Sequence, residues 1–346
     1  MPSTDPVHTF RVKFLCEMGG VMQRQASDPA TPIERSPNAQ SAEESKTASL
    51  RSGQKRRNEI FATSLYLGIQ FSSLLIFFTG VTTTAVVLCA SFFFLRMFAI
   101  TGGYHRYFSH RSYKTGRVFQ FILAFLGTSA VQKGPLWWAS THRLHHRYSD
   151  TPNDPHSPRR SLYYAHQGWI FDEQWDETRA DLVKDLGRYP ELVWLDRWHF
   201  VAPLTLALFC FGVGGFTGLI WGFVLSTTLT WHATYTINSL THRWGSVRFD
   251  SGDDSRNNLW LALLTLGEGW HNNHHYYQSS CRQGFYWWEI DITYYILRGL
   301  AAVGLVWDLK EPPARVYEVA QARRKARKTP SAPSIEPVAR SLEAVK

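Results

Sequence analysis

The chain has little with which to cross-link itself and little that marks a secreted or nucleic-acid-binding protein. Its four cysteines, Cys16, Cys89, Cys210 and Cys281, lie far apart and form no CxxC pair. That indicates neither a disulfide framework nor a thiolate zinc site, and it suits a reducing compartment. Cys89 and Cys210 fall inside apolar runs, where cysteine behaves as a small hydrophobe. No zinc-finger or helix-turn-helix spacing occurs. The net charge of +9 and pI near 9.4 are therefore read as attraction to the anionic face of a membrane, with no nucleic acid as partner. Residues 1–54 lack the short basic start and apolar core of a signal peptide. Rich in Ser, Pro, Ala, Gln and charge, they read as a disordered tail. A second disordered tail, basic through RRKARK at 323–328, is expected over 313–346, which leaves 55–312 as the working domain.

What the chain does have is segregated. A mean hydropathy of −0.24 conceals apolar runs at about 61–80, 81–101, 200–215 and 216–237, set against a hydrocarbon core that takes roughly 20 helical residues to cross. Only the turn GVGGF separates the last two. The predicted fold is an all-α integral membrane protein: four transmembrane helices as two hairpins, with a helical cap that holds a two-metal site. Arg51, Lys55, Arg56 and Arg57 precede the first hairpin and Arg106, Arg111 and Lys114 follow it. Arg197 precedes the second, Arg243 and Arg248 follow it, and both tips are uncharged. By the positive-inside rule the open ends, both termini and the cap (102–198 and 238–310) face the cytoplasm, of a bacterial inner membrane or an endoplasmic reticulum. Arg96, near the end of the second run, is expected to snorkel to that interface.

The cap side collects imidazoles. GEGWHNNHHYYQSS places His271, His274 and His275 at i, i+3 and i+4, and WWASTHRLHHRYSD repeats the pattern with His142, His145 and His146. On a helix, residues so spaced share one face. His105 and His110 end the first hairpin and His242 ends the second, so nine of the fourteen histidines share one topological side. His8, His156, His166, His199 and His232 are scattered. Neutral imidazole suits Zn, Cu, Fe and Ni rather than hard cations. Nine donors suggest two metals, because one ion takes four to six and zinc alone is satisfied by three or four.

HRYFSH, HRLHH and HNNHH resemble the three histidine boxes of the membrane-bound fatty acyl desaturases, particularly the stearoyl-CoA (Δ9) type. TGGYHRYFSHRSYK, DPHSPRRSLYYAHQGW and NSLTHRW continue the likeness in the same order, over roughly residues 60–312. The resemblance implies a di-iron enzyme that uses O2 and two external electrons to insert a cis double bond into a saturated acyl chain. It implies that the nine histidines bind the irons, that Asn238 acts through a water, and that Gln132, Trp138 and Thr234 line the bend of a substrate tunnel. It further implies a long-chain acyl thioester as substrate and a separate electron donor, such as cytochrome b5 or ferredoxin with its reductase, because no haem module follows residue 312. Two departures stand out. Ser140-Thr141 replaces the Arg-Asp pair that helps animal enzymes hold CoA, which admits acyl-carrier protein or a lipid as carrier. The third box reads HNNHH rather than HNYHH.

Two other readings compete. A membrane hydroxylase or ketolase shares the scaffold and begins with the same hydrogen abstraction. A histidine-rich metal transporter calls for ionisable residues at mid-bilayer depth, which the four runs lack near their centres.

Overall fold

The computed structural model describes residues 60–328. Its main helices in chain order are α1 (Ile60–Thr79), α2 (Thr83–Ser109), α3 (Arg117–Thr128), α4 (Pro135–Tyr148), α5 (Pro190–Arg197), α6 (Val201–His242), α7 (Leu259–Leu264), α8 (His271–Tyr276), α9 (Ile292–Ala302) and α10 (Ala314–Lys328). The two-residue strands β1 (Lys114–Thr115) and β2 (Val306–Trp307) pair antiparallel and tie the two halves of the cap together.

Among the described residues three helices, α1, α2 and α6, are long and apolar enough to cross a membrane. Their large side chains face outward, with Phe77 and Phe78 at 78% and 84% exposure, a surface that calls for lipid around it. Helix α6 is not a single rod. Gly215 adopts φ 58°, ψ −150° inside it. A Cβ on Gly218 would lie 2.5 Å from the Cys210 carbonyl oxygen, and one on Gly222 would lie 2.9 Å from Cys210 Sγ. In continuous helix, residues 210 and 222 would stand about 18 Å apart. The chain therefore reverses at the predicted GVGGF turn, and its two arms pack so closely that only glycine fits between them.

Helix α2 begins as α-helix and widens into a π-helical stretch from Ala99 to Ser109, a rare geometry that is frequent at functional sites. Ile100, Tyr104 and Phe108 bury its inner face in the largest core, with Leu123, Leu136 and Leu195 from α3, α4 and α5.

Arg96 departs from expectation. Rather than snorkelling it is fully buried. Its Nη1 donates to Thr227 Oγ1 (2.6 Å) and the Ser129 carbonyl (3.3 Å), and its Nη2 donates to Ser226 Oγ (2.5 Å). Those oxygens supply the partners that headgroup water would have offered. The expected C-terminal tail also departs, being helical over Ala314–Lys328. Val316 and Ala320, one turn apart, are buried against Phe249 and Phe285, and Tyr317 Oη donates to the Phe285 carbonyl at 3.0 Å. The run of cations beyond them hides this short apolar stripe in the sequence. The expected tail over 1–54 lies outside the described residues.

Candidate metal centre

Each histidine is placed by an identifiable local device. In the π-helical end of α2, residues five apart lie over one another. The N–H of His110 donates to the His105 carbonyl at 3.2 Å, and the two rings meet edge to face at 4.8 Å. Helix α4 starts at a fixed point because Asp196 Oδ1 accepts from the backbone N–H groups of Leu136 (2.9 Å) and Trp137 (3.0 Å). A Cβ on Gly134 would sit 2.3 Å from that oxygen. From that start, His142, His145 and His146 fall on one face.

The stretch GEGWHNNHH reads out residue by residue. Gly267, at φ +125°, leaves room for Asp291, whose Oδ1 a Cβ would meet at 2.4 Å; a Cβ on Gly269 would lie 2.1 Å from the Ala262 nitrogen. Between them, Glu268 Oε1 accepts from Arg106 Nε and Nη2 (3.2 and 3.0 Å). Its other oxygen lies 2.7 Å from His105 Nδ1 without hydrogen-bond alignment. Asn272 Oδ1 accepts from the backbone N–H groups of Arg248 and Phe249, each at 2.7 Å. Asn273 Nδ2 donates to the Gln283 carbonyl (2.9 Å) and Glu289 Oε2 (3.0 Å), and its Oδ1 accepts from Asn257 Nδ2 (2.7 Å) and Arg248 Nη1 (2.9 Å). Both asparagines are thus structural, and Asn273, the position at which the third box departs from HNYHH, is bonded through both its amide nitrogen and its oxygen.

All nine expected imidazoles come together, in two groups. His105, His110, His142, His146 and His274 form one; His145, His242, His271 and His275 form the other; within each, the ligand nitrogens lie within 4.8 Å of one another. The Nε2–Nε2 distances in the first are 3.0 Å (His105–His274), 2.9 Å (His110–His142), 3.0 Å (His142–His146) and 2.9 Å (His146–His274). In the second they are 3.1 Å (His242–His271) and 3.4 Å (His145–His275).

Hydrogen bonding does not explain this convergence. His145 Nδ1 donates to Asp154 Oδ1 (2.9 Å), His242 Nδ1 to Asp150 Oδ2 (2.9 Å) and His275 Nδ1 to Asp253 Oδ2 (2.6 Å). With its Nδ1 proton given to an aspartate, each of these three rings turns its Nε2 towards a common point. Lone pairs facing one another at such distances repel, and a cation among them converts repulsion into coordination. Carboxylates behind ligating histidines are the usual support of a metal site, so the residues fit a pair of transition-metal ions. Burial, reinforced by neighbouring imidazoles, holds His142, His146, His271 and His274 well below their ordinary value of 6.5. Burial pushes His275 down to about 4 against the opposing pull of Asp253. These rings are neutral at physiological pH and available as donors.

The three residues expected at a tunnel bend also meet. Trp138 Nε1 donates to Gln132 Oε1 (3.2 Å), and Gln132 Nε2 donates to Thr234 Oγ1 (3.1 Å). Trp138 stacks on His142 with centroids 5.1 Å apart, which joins this line to the first cluster. Asn238, half-buried, lies on α6 between Thr234 and His242. Of the scattered histidines, His156 packs on His145 at 4.3 Å and His166 bonds to His232 at 3.0 Å. Sequence reasoning missed the carboxylates Asp150, Asp154, Asp253 and Glu268. A backbone signal marks one of the four: Asp150 takes φ +59°, a strained value for a non-glycine residue that clusters at functional sites.

Residues 82–308 match the fatty acid desaturase family. The chain belongs to that family. It is 38% identical over 248 residues to the delta-9 acyl-lipid desaturase 2 of Arabidopsis thaliana, covering 71% of this chain and 79% of the relative. It is 40% identical over 224 residues to the acyl-CoA C20 Delta5-desaturase of Anemone leveillei, covering 62% and 70%. It is also 37% identical over 219 residues to the palmitoyl-monogalactosyldiacylglycerol delta-7 desaturase of Arabidopsis thaliana, covering 62% of this chain but only 59% of the relative. The family's members named here are oxidoreductases of fatty acyl chains, and they differ in carrier and in double-bond position.

Proposed function

We propose that this chain is a di-iron, O2-dependent desaturase that introduces a cis Δ9 double bond into a saturated long-chain acyl-CoA. The observation that carries the reading is the convergence of nine imidazoles, one ring nitrogen from each, into two imidazole-only groups, a donor set that excludes hard cations as natural occupants. An unactivated methylene has no acidic proton for a side chain to remove. The metal pair supplies the O2-activating chemistry that hydrogen abstraction requires. The chain's own residues do the positioning. His105, His110, His142, His146 and His274 hold one ion; His145, His242, His271 and His275 hold the other, with Asn238 contributing through a water. The Trp138–Gln132–Thr234 line forms the bend past which the acyl chain is threaded.

In this reading α1, α2 and the two arms of α6 are four membrane crossings, and the histidine face with both termini is cytoplasmic. Electrons come from a separate small carrier, such as cytochrome b5 or ferredoxin, docking on that side. Lipid profiling in a host that lacks unsaturated fatty acids, with mass spectrometry of double-bond position, tests the reaction. Monounsaturated acids with the bond at carbon 9 are expected; hydroxy acids without alkenes would reject desaturation.

A specific observation favours a second carrier. Ser140 and Thr141 are buried, with the Ser140 hydroxyl donating to the Trp137 carbonyl at 2.9 Å, so neither is available to a CoA headgroup. A glycerolipid-linked chain is therefore the second reading. Membranes given labelled stearoyl-CoA with acyl transfer either blocked or allowed distinguish the two: label in oleoyl-CoA under the block supports the thioester, and label desaturated only when transfer is allowed supports the lipid.

A further inference from the structure

The two histidine groups differ in everything except ligand type. In the four-histidine group all rings are buried. Three of the four donate through Nδ1 to aspartates, at 2.6 to 2.9 Å, and no arginine or lysine pairs with those aspartates among the described contacts. Asp150 and Asp154 accept backbone N–H bonds from Asp254 and Asp150 instead (2.7 and 2.8 Å), and Asp253 accepts from Ser251 Oγ (2.6 Å). In the five-histidine group His110, His142 and His146 are only half-buried. Its one carboxylate, Glu268, lies 2.7 Å from His105 Nδ1 and is shared with Arg106. A cavity of about 490 Å³ reaches His110 and His146 from outside, and Arg143 and Arg147 line it.

We infer that the two groups are unequal metal sites: the aspartate-backed group fills first and retains its ion, and the five-histidine group fills second and exchanges. The inference rests on the proposed metal-binding reading. Its physical basis is charge and access. A dication surrounded by three second-sphere anions is stabilised in a low-dielectric interior, and hydrogen-bonded carboxylates raise the basicity of the imidazoles they support. Around the other ion Arg106 is shared between Glu268 and Asp291 and Arg143 is held by Asp185, so no comparable set of anions stands behind its imidazoles, and water or a chelator can approach through the cavity. Asp150, Asp154 and Asp253 act as positioning residues: they touch the ligands, never the substrate.

Cobalt binding to the full chain, stripped of iron in detergent, tests this through visible absorption and metal analysis. Two equivalents are expected, the first bound about ten-fold or more tighter than the second. Asp253→Asn and Asp154→Asn should each weaken the tight step about 10–100-fold and leave the weak step in place, whereas Glu268→Gln should leave the tight step unchanged. Equal affinities in the unmodified protein, or tight steps unmoved in both aspartate variants, overturn the inference. Release of iron to a chelator gives an answer without any variant. One ion should leave quickly and one slowly, and loss of both in a single phase overturns the proposed order. If the unmodified chain binds no cobalt and no iron at either step, the metal-binding reading itself fails.

Discussion

Helix α4 carries His142, His145 and His146 on 14 residues; α8 carries His271, His274 and His275 on six. The motif is the same, HxxHH, and the supports are not. Helix α4 is long enough to hold its own geometry once Asp196 has fixed its first turn. Six residues are too few for a helix to persist by itself in water. Helix α8 is kept helical by tertiary bonds from Asn272 and Asn273 to Arg248, Phe249, Asn257, Gln283 and Glu289. Identical histidine spacing can thus be produced from within an element or imposed from around it.

Removing a ligand should erase the difference, because each group draws on both helices. His145→Ala and His275→Ala are each expected to reduce product formation below detection while the protein still inserts. Full turnover in both variants would overturn the assignment of the second group. Removing the support should expose the difference. Asn273→Ala leaves several buried partners unsatisfied, at about 1–3 kcal/mol each, so a loss of roughly 3 kcal/mol and of bound metal is expected. Thermal unfolding in detergent with metal analysis measures both. A shift of under about 1 kcal/mol would show that α8 does not depend on its asparagines.

Asp196→Ala, the corresponding change for α4, removes an N-terminal cap worth about 1–2 kcal/mol. Stability should drop by that amount with metal content retained; loss of metal would mean that α4, too, is held from outside. The smallest effect concerns acid. In the metal-free protein the unfolded histidines take up protons below about 6.5, whereas the folded His142, His146, His271 and His274 resist them and His275 waits until about 4. Folding stability should therefore fall as pH drops from 6.5 towards 4. The carboxyls of Asp154 and Asp253, held below their ordinary value by imidazole partners against the effect of burial, extend the loss below that range. A melting temperature that stays flat between pH 7 and 5 would contradict neutral rings in both helices.

The two HxxHH triples were legible in the sequence because their spacing matches a helical period, and the reversal at Gly215 was legible because GVGGF interrupts an apolar run. The supports were not. Asp154 stands nine residues from His145, Asp253 is 22 residues from His275 and Asp150 is 92 from His242. No repeated spacing links a carboxylate to its ring, because loops rather than one element bring them together. Arg96 was misread for a related reason: its position near a span end suggests an interface, but its hydroxyl partners lie 130 and 131 residues away. In α10 two small apolar residues decide the packing, and the surrounding cations dominate the composition.

Thr234 and His242 stand on one helix, and Trp138 and His142 on another. Helical rise puts the first pair about 12 Å apart and the second about 6 Å. On the proposed reading the bend and the ions are therefore graduations on two rigid rulers, clasped together by Gln132. A side-chain exchange at the bend would change which acyl tails slide through. Moving the alkene to another carbon would require sliding one ruler against the other.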